Sequence, residues 1–349
     1  MKDFMINLQL FANELQTTML GNANYDAGDG WKGNGLSVEM KTFYDMTLID
    51  EASPALVHEQ FGQKRPIPKN GGKTIEFRKF SPLAKATTPL TEGVTPDGKS
   101  LNVSAITATV SQYGDYITQS DVLELTSIDN TILEATKLLG KQAGATLDTI
   151  VRDILVAGTN VSYASKWNDG IETVVTSRKT LDATATLKVD TIQQIVAKLR
   201  AQNAPTIGGK YVAVIHPYVA YDLMRDPEWI DAHKYSNPTN LYEGEIGEIG
   251  GVRFVQTTEA KIWKDSTCPD DLAVFGCLFF GEGAYGVTEI TGGGLQTIVK
   301  QKGSAGTADP LDQRSSVGWK AIKTAEILVP NYMVRLECCS KYSATANAN

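Results

Sequence analysis

Two glycine patterns in this chain have the outline of phosphate-binding loops. Gly281-Glu282-Gly283-Ala284-Tyr285-Gly286 matches G-x-G-x-x-G after an apolar run, as a dinucleotide site requires. Such a site also needs a helix N-terminus facing the pyrophosphate, and here Val287 to Ile290 and then Gly292-Gly293-Gly294 follow instead. The pattern reads as a turn between two strands. Gly71-Gly72-Lys73-Thr74 has the ending of a P-loop, but Ile67 stands where the first glycine belongs and Pro68 removes an amide. Because Thr74 to Phe80 reads as strand rather than helix, a glycine turn entering a hairpin is the better account.

The other reactive side chains are scattered. His58, His216 and His233 form no H-E-x-x-H, and His216 before Pro217 reads as a strand-end residue. Asp26 to Gly30 lacks the alternating acids of a calcium loop. Cys268, Cys277, Cys338 and Cys339 have neither zinc-knuckle nor redox-pair spacing, and they read as reduced thiols of a cytoplasmic protein. No G-x-S-x-G is present. The sequence therefore names no catalytic residue, no cofactor-binding residue and no metal ligand.

What remains is architecture. The 349 residues, 42% of them hydrophobic, suffice for about two domains with real cores. A net charge of -7 argues against a protein whose affinity comes from neutralising phosphates, so contact with nucleic acid is expected to be weak. The apolar residues Ile6, Leu8, Leu10 and Phe11 make too short a run for a membrane span. Charge reverses along the chain: residues 1–60 hold three lysines against nine carboxylates, and residues 61–100 hold eight cations against three carboxylates. Either two solvated surfaces simply differ, or neighbouring copies pair electrostatically.

Thr17 to Gly35, rich in Gly, Asn and Asp, reads as an extended arm, with a short helix after Pro54. Residues 65–118 alternate with period two around Ile75 and Phe77 and again around Val103 and Ala105, flanking a turn-rich tip from Ser81 to Gly98. Hairpin arms of roughly 15–20 residues would reach about 50–65 Å, and such a hairpin needs another surface to lie on. Ser120 and Asp121 can start a long amphipathic helix through Ile132, Leu139, Leu147 and Ile154, either continuous or broken near Gly140 and Gly144. Ala157 to Lys188 is polar and poorly patterned. An α/β module follows: a helix capped by Asp190, a buried strand over Tyr211 to Ile215, helices over Tyr218 to Arg225 and Glu228 to His233, and strands over Val252 to Gln256 and Leu272 to Phe280. Two strands within Gln313 to Leu336 turn at Pro330-Asn331.

In this order the parts resemble the major capsid proteins of tailed bacteriophages. Local matches are Asn70-Gly71-Gly72-Lys73-Thr74-Ile75, Leu90-Thr91-Glu92-Gly93-Val94-Thr95-Pro96, Ala308-Asp309-Pro310-Leu311 and Val317-Gly318-Trp319-Lys320. Together they look like the coat family named after the major capsid protein of an enterobacterial podovirus. The resemblance implies the α+β tailed-phage coat-protein fold: an N-terminal arm (1–60), an extended β-hairpin loop (61–118), a peripheral domain with a long spine helix (119–190 plus 311–349) and an α/β axial domain (191–310). It implies a non-enzymatic shell subunit assembling as pentamers and hexamers around phage DNA, with scaffolding, portal and decoration proteins as further partners and no membrane. No fused scaffolding segment is expected. The loop would contact the neighbouring copy through Lys73, Arg78, Lys79, Leu83, Lys85, Leu90 and Val94. Rivals are an encapsulin-type compartment shell, an α/β enzyme with a hairpin appendage, and a tail or baseplate component.

Overall fold

The computed structural model describes Leu15–Gln16 and residues 57–349, apart from 81–82, 96, 128–130, 169, 235–246, 301 and 304–308. The arm expected over Thr17 to Gly35 and the helix start at Pro54 lie outside the described residues. The chain divides into two compact units, one built on Gln112–Thr146 and Gly293–Ile322, the other on Ala55–Ser111, Leu147–Gly292 and Lys323–Asn349.

In the first unit, β1 (Leu15–Gln16) pairs in parallel with β5 (Ser111–Ser120). At the end of β5 the Ser120 hydroxyl accepts the Leu123 N–H at 3.2 Å and so caps α1 (Asp121–Thr126). The long helix α2 (Thr131–Val156) runs unbroken through Gly140 and Gly144. Its Ala135, Leu139 and Ala143, at helical spacing, are buried. Strand β15 (Gln296–Lys300) lies antiparallel to the first half of β16 (Arg314–Ile327), where Val317, Trp319 and Ala321 alternate inward. Strands β5 and β16 approach closely through two glycines: a Cβ on Gly114 would stand 2.6 Å from the Trp319 carbonyl, and one on Gly318 would stand 2.7 Å from Tyr116 Cβ. Any side chain there would force the strands apart.

The second unit is organised by a sheet ordered β10-β11-β9-β13-β17-β6, with β12 added to β13. These strands are β6 (Val161–Tyr163), β9 (Tyr211–Ile215), β10 (Glu248–Ile249), β11 (Val252–Gln256), β12 (Ile262–Trp263), β13 (Val274–Phe280) and β17 (Met333–Cys338). Every residue of β9 and β13 is buried, which is why both read as continuous apolar runs rather than alternating ones. Helix α3 (Val189–Ala201) buries Ile192, Ile195, Val196 and Leu199. Its cap differs from expectation. The N-cap position is Lys188, which makes no side-chain cap bond, and Asp190 sits inside the first turn. The Val189 N–H is instead accepted by Asp226 Oδ2 at 2.9 Å, a partner 37 residues away and invisible to local pattern.

His216 ends β9 and caps α4 (Pro217–Met224), its Nδ1 accepting the Tyr218 N–H at 3.1 Å, and α5 (Pro227–Lys234) follows. The unpatterned stretch before α3 also joins this core. Ala164, Val175, Leu181, Ala185 and Leu187 are buried one at a time on either side of the short strands β7 (Lys166–Asn168) and β8 (Ile171–Thr173), so no period announces them.

The root of the hairpin is clamped to this unit. Strand β2 (Gln63–Lys64) runs parallel to β14 (Tyr285–Glu289), which pairs with the second half of β16. The Arg65 N–H donates to Val287 O at 3.1 Å, the Ile67 N–H to Glu289 O at 2.7 Å, and the Thr291 N–H to Ile67 O at 2.8 Å. Asn70 and Gly72, with φ of 69° and 89°, then turn the chain into β3 (Thr74–Phe80), as the glycine-turn reading expected. Strand β3 pairs antiparallel with β4 (Val103–Thr109) from Thr74↔Thr109 to Phe80↔Val103. The buried Phe77 ring lies against Gly286, where a Cβ would come within 2.9 Å of it.

Phe77→Ala is expected to weaken this root by about 3–5 kcal/mol through the cavity it leaves. The readout is faster amide exchange across Thr74–Phe80 with the β9 and β13 amides unchanged. A second expectation concerns pH. Burial holds the His216 imidazole neutral and pushes its pKa down to about 4. An unfolded imidazole titrates near pH 6.5, so below about that pH the unfolded state binds more protons and stability falls as pH drops toward 4. The loss at pH 5 relative to pH 7 is on the order of 2 kcal/mol. His216→Asn, which keeps an acceptor at the cap, should remove that loss in paired thermal melts at the two pH values.

Candidate assembly surface

Beyond its root the hairpin stops being a ladder. The paired part is seven residues per strand, shorter than the arms of roughly 15–20 residues the alternation suggested, because Pro82, Pro89 and Pro96 interrupt the donors needed to continue. The tip is held by a few local bonds. Lys99 Nζ donates to Ala84 O at 3.2 Å, the Val94 N–H to Thr91 O at 3.2 Å beside Gly93 (φ 80°), and Ser104 Oγ to Lys79 O at 3.4 Å.

All seven residues assigned to the loop contact are exposed: Lys73, Arg78, Lys79, Leu83, Lys85, Leu90 and Val94. Leu83 is 57% exposed, Leu90 78% and Val94 62%, and two residues not assigned to the contact from the sequence, Leu101 and Val103, are 65% and 52% exposed. Their signal was present: Val103 begins the alternating strand, but alternation alone does not say that neither face has a layer to cover it. Arg78 Nε donates to Glu76 at 3.1 Å. Among the described residues Lys73, Lys79 and Lys85 have no carboxylate partner. Among the described residues the surface thus combines exposed apolar side chains with unpaired cations.

The features that could have carried catalysis are structural. Gly281 to Gly286 is the turn from β13 into β14, and a Cβ on Gly281 would lie 2.2 Å from the Pro205 carbonyl, so glycine serves a close backbone approach. His58 is buried, its N–H donating to Asp148 Oδ1 at 2.8 Å and its Nδ1 2.7 Å from Oδ2, while the Tyr285 hydroxyl donates to the His58 carbonyl at 2.6 Å. Ninety residues separate His58 from Asp148, so no local motif could reveal the pair. All four cysteines are free and buried. Burial raises the Cys268 thiol and pushes Cys339 up to about 12; Cys338, hydrogen-bonded to Cys277 and buried, is raised as well. Those shifts run opposite to what a nucleophilic thiolate needs.

A cleft of about 630 Å³ is lined by Lys188, Tyr221, Asp222, Arg225, Asp226 and Tyr342, among others. Its carboxylates are committed to holding the chain: Asp222 Oδ2 accepts from Ser340 Oγ and the Lys341 N–H, and Asp226 from the Val189 and Glu228 amides. Among the described residues no cluster of three or more His, Cys, Asp or Glu could hold a metal ion, and no helix is long and apolar enough to cross a membrane. The acid-rich segment Asp26 to Gly30 lies outside the described residues.

Three comparisons place this geometry. No curated protein matches the sequence. The chain superposes on the capsid of cyanophage P-SCSP1u at 13% identity, covering 85% of this chain and 92% of that one, with a TM-score of 0.64. It superposes on the capsid of Ralstonia phage GP4 at 14% identity, covering 90% and 98%, with a TM-score of 0.64, and on the mature capsid of bacteriophage PhiM1 at 13% identity, covering 88% and 94%, with a TM-score of 0.60. At these identities the likeness establishes the fold, which is the expected α+β tailed-phage coat-protein fold. Residues 103–332, well over half of the chain, match the family model described as phage capsid protein. The chain therefore belongs to the phage capsid protein family, as a shell-forming structural component of the virion.

Proposed function

We propose that this chain is the major capsid protein whose copies assemble as pentamers and hexamers into an icosahedral head shell around phage DNA, each hairpin lying on the neighbouring copy. One observation carries the hairpin's part in this: Leu83, Leu90, Val94, Leu101 and Val103 are exposed, and among the described residues no layer covers them. Burying five such side chains is worth on the order of 10 kcal/mol before the cost of ordering the tip. Many such contacts, closed by symmetry, make a stable particle from modest pairwise affinities. The loop would be residues 61–118, the arm 1–60, the axial domain 191–310 and the peripheral domain 119–190 with 311–349. The subunit works without catalysis; it assembles in the host bacterial cytoplasm, meets scaffolding, portal and decoration proteins, and touches packaged DNA weakly because its net charge is -7.

Purified protein is expected to form closed particles in electron microscopy. Two double variants test the surface: Leu90→Asp with Val94→Asp, and Lys79→Glu with Lys85→Glu. Because these positions are exposed, both should fold with wild-type melting behaviour while particle yield drops at least tenfold, the charge variant most strongly at low salt. Wild-type yields from both variants would overturn the assignment of the hairpin as the contact.

A further inference from the structure

The cleft bordered by Lys188 and Tyr342 lies wholly within the second unit, and its volume of about 630 Å³ is that of a small-molecule site, for which roughly 300–1,000 Å³ is usual. Three cations border it: Lys188, Arg225 and Lys341. Among the described residues none of them pairs with a carboxylate. Lys188 Nζ lies 3.9 Å from the centre of the Trp167 ring, and Arg225 Nη1 donates to the Tyr221 hydroxyl at 2.9 Å. Those contacts orient the two cations without neutralising them.

The carboxylates of the cleft have their charge met by other groups. Asp226 bridges two helix N-termini: its Oδ2 accepts the Val189 N–H of α3 at 2.9 Å and its Oδ1 the Glu228 N–H of α5 at 3.3 Å, so it faces the positive ends of both dipoles. Asp222 accepts through Oδ2 from the Ser340 hydroxyl and the Lys341 N–H. Positive charge is left over. Lys188 even occupies the N-cap position of α3, the end of a helix where a cation is disfavoured and an anion welcome.

One wall is aromatic. Tyr342 is 60% exposed and Tyr221 38%, their ring centroids 4.9 Å apart. Tyr342 also packs on Tyr218 at 5.1 Å, and Tyr218 on the buried His216 ring at 4.6 Å, so the exposed ring is backed by the core. Fixed, exposed rings beside cations are what stacking platforms for bases consist of.

We propose that this cleft binds a nucleotide. The base stacks on Tyr342 and Tyr221, the phosphate is held by Arg225, Lys341 and Lys188, and a sugar hydroxyl or base amine donates to Asp222 Oδ1, which accepts nothing among the described residues. A phosphate monoester carries about -1.5 to -2 charges at pH 7 and so answers three cations better than a single carboxylate does. A base also offers an open flat face, which favours a nucleotide over an acidic peptide. A free nucleotide and one unpaired unit of a single strand present the same chemistry, whereas a duplex keeps its bases inside the stack. Because the chain as a whole carries -7, the affinity is modest and falls with salt. The site belongs to one chain and does not depend on the shell reading.

Calorimetric titration of the full-length protein with dAMP at low salt should show saturable one-to-one binding. Deoxyadenosine, which lacks the phosphate, and deoxyribose 5-phosphate, which lacks the base, should each bind about tenfold more weakly or worse. Two variants at exposed positions, both expected to melt as wild type does, separate the parts. Tyr342→Ala should weaken dAMP binding about tenfold, and Arg225→Gln with Lys341→Gln about tenfold while flattening its salt dependence. No saturable binding of dAMP, or full-strength binding by both variants, would overturn the proposal. Competition with a single-stranded oligodeoxyadenylate identifies the source: displacement of dAMP at a lower nucleotide concentration than dAMP itself requires assigns the site to a strand, and equal or weaker displacement assigns it to the free nucleotide. Displacement by the corresponding duplex as strong as by the single strand would contradict the stacking. Tighter binding of the peptide Glu-Tyr-Glu-Glu than of dAMP would replace the nucleotide with an acidic protein partner.

Discussion

A two-stranded ribbon has only two faces, and among the described residues the outer part of this one has no second layer; the organisation of this chain follows from that constraint. Strands β3 and β4 hold seven pairs, of which the buried Phe77 and Ala108 belong to the root. Among the described residues beyond the Phe80↔Val103 pair the ladder does not continue, and Leu83, Leu90, Val94 and Leu101 stay exposed. An isolated hairpin of this kind is marginal even with a good turn, and exposed strand edges are normally blunted or covered. On the proposed reading a neighbouring copy covers these side chains, which is the property a shell subunit needs.

Such a ribbon is useful only if its root is stiff, and the second unit concentrates buried polar structure where stiffness is required. The His58–Asp148 pair and the Tyr285 hydroxyl fix the segment leading into the root, and Lys323 joins Glu59 beside them. Elsewhere Glu337, fully buried, receives a bidentate pair from Arg178 at 2.7 Å and lies 2.9 Å from Arg335, with Trp263 stacked 4.0 Å from the Arg178 guanidinium. Buried ion pairs of this kind add little net stability, but losing one partner leaves an uncompensated charge and costs several kcal/mol. They fix geometry more than they add energy.

Much of this was legible in the sequence because it is local. The continuous runs Tyr211–Ile215 and Val274–Phe280, the helical spacing through Leu139 and Leu147, and the alternation around Trp319 each follow from how many faces of an element are covered. The glycine signatures were correctly read as turns because the residues after them favour strands. What stayed hidden depends on distance along the chain. Asp226 caps α3 from 37 residues away, His58 meets Asp148 across 90, and Arg178 reaches Glu337 across 159. The single buried residues between Ala157 and Lys188 have no period to detect. The shortness of the β3–β4 ladder was readable from the prolines, yet alternation on either side of them suggested longer arms.

The claim that the tip lacks a layer of its own until a second copy supplies one is tested most directly by hydrogen exchange on the same protein before and after assembly. Amides of residues 83–102 should exchange within seconds in the free subunit, having few internal acceptors, and become strongly protected in the particle, while β9 and β13 stay protected in both. Protection of the tip already in the free subunit, or none in the particle, would contradict the account.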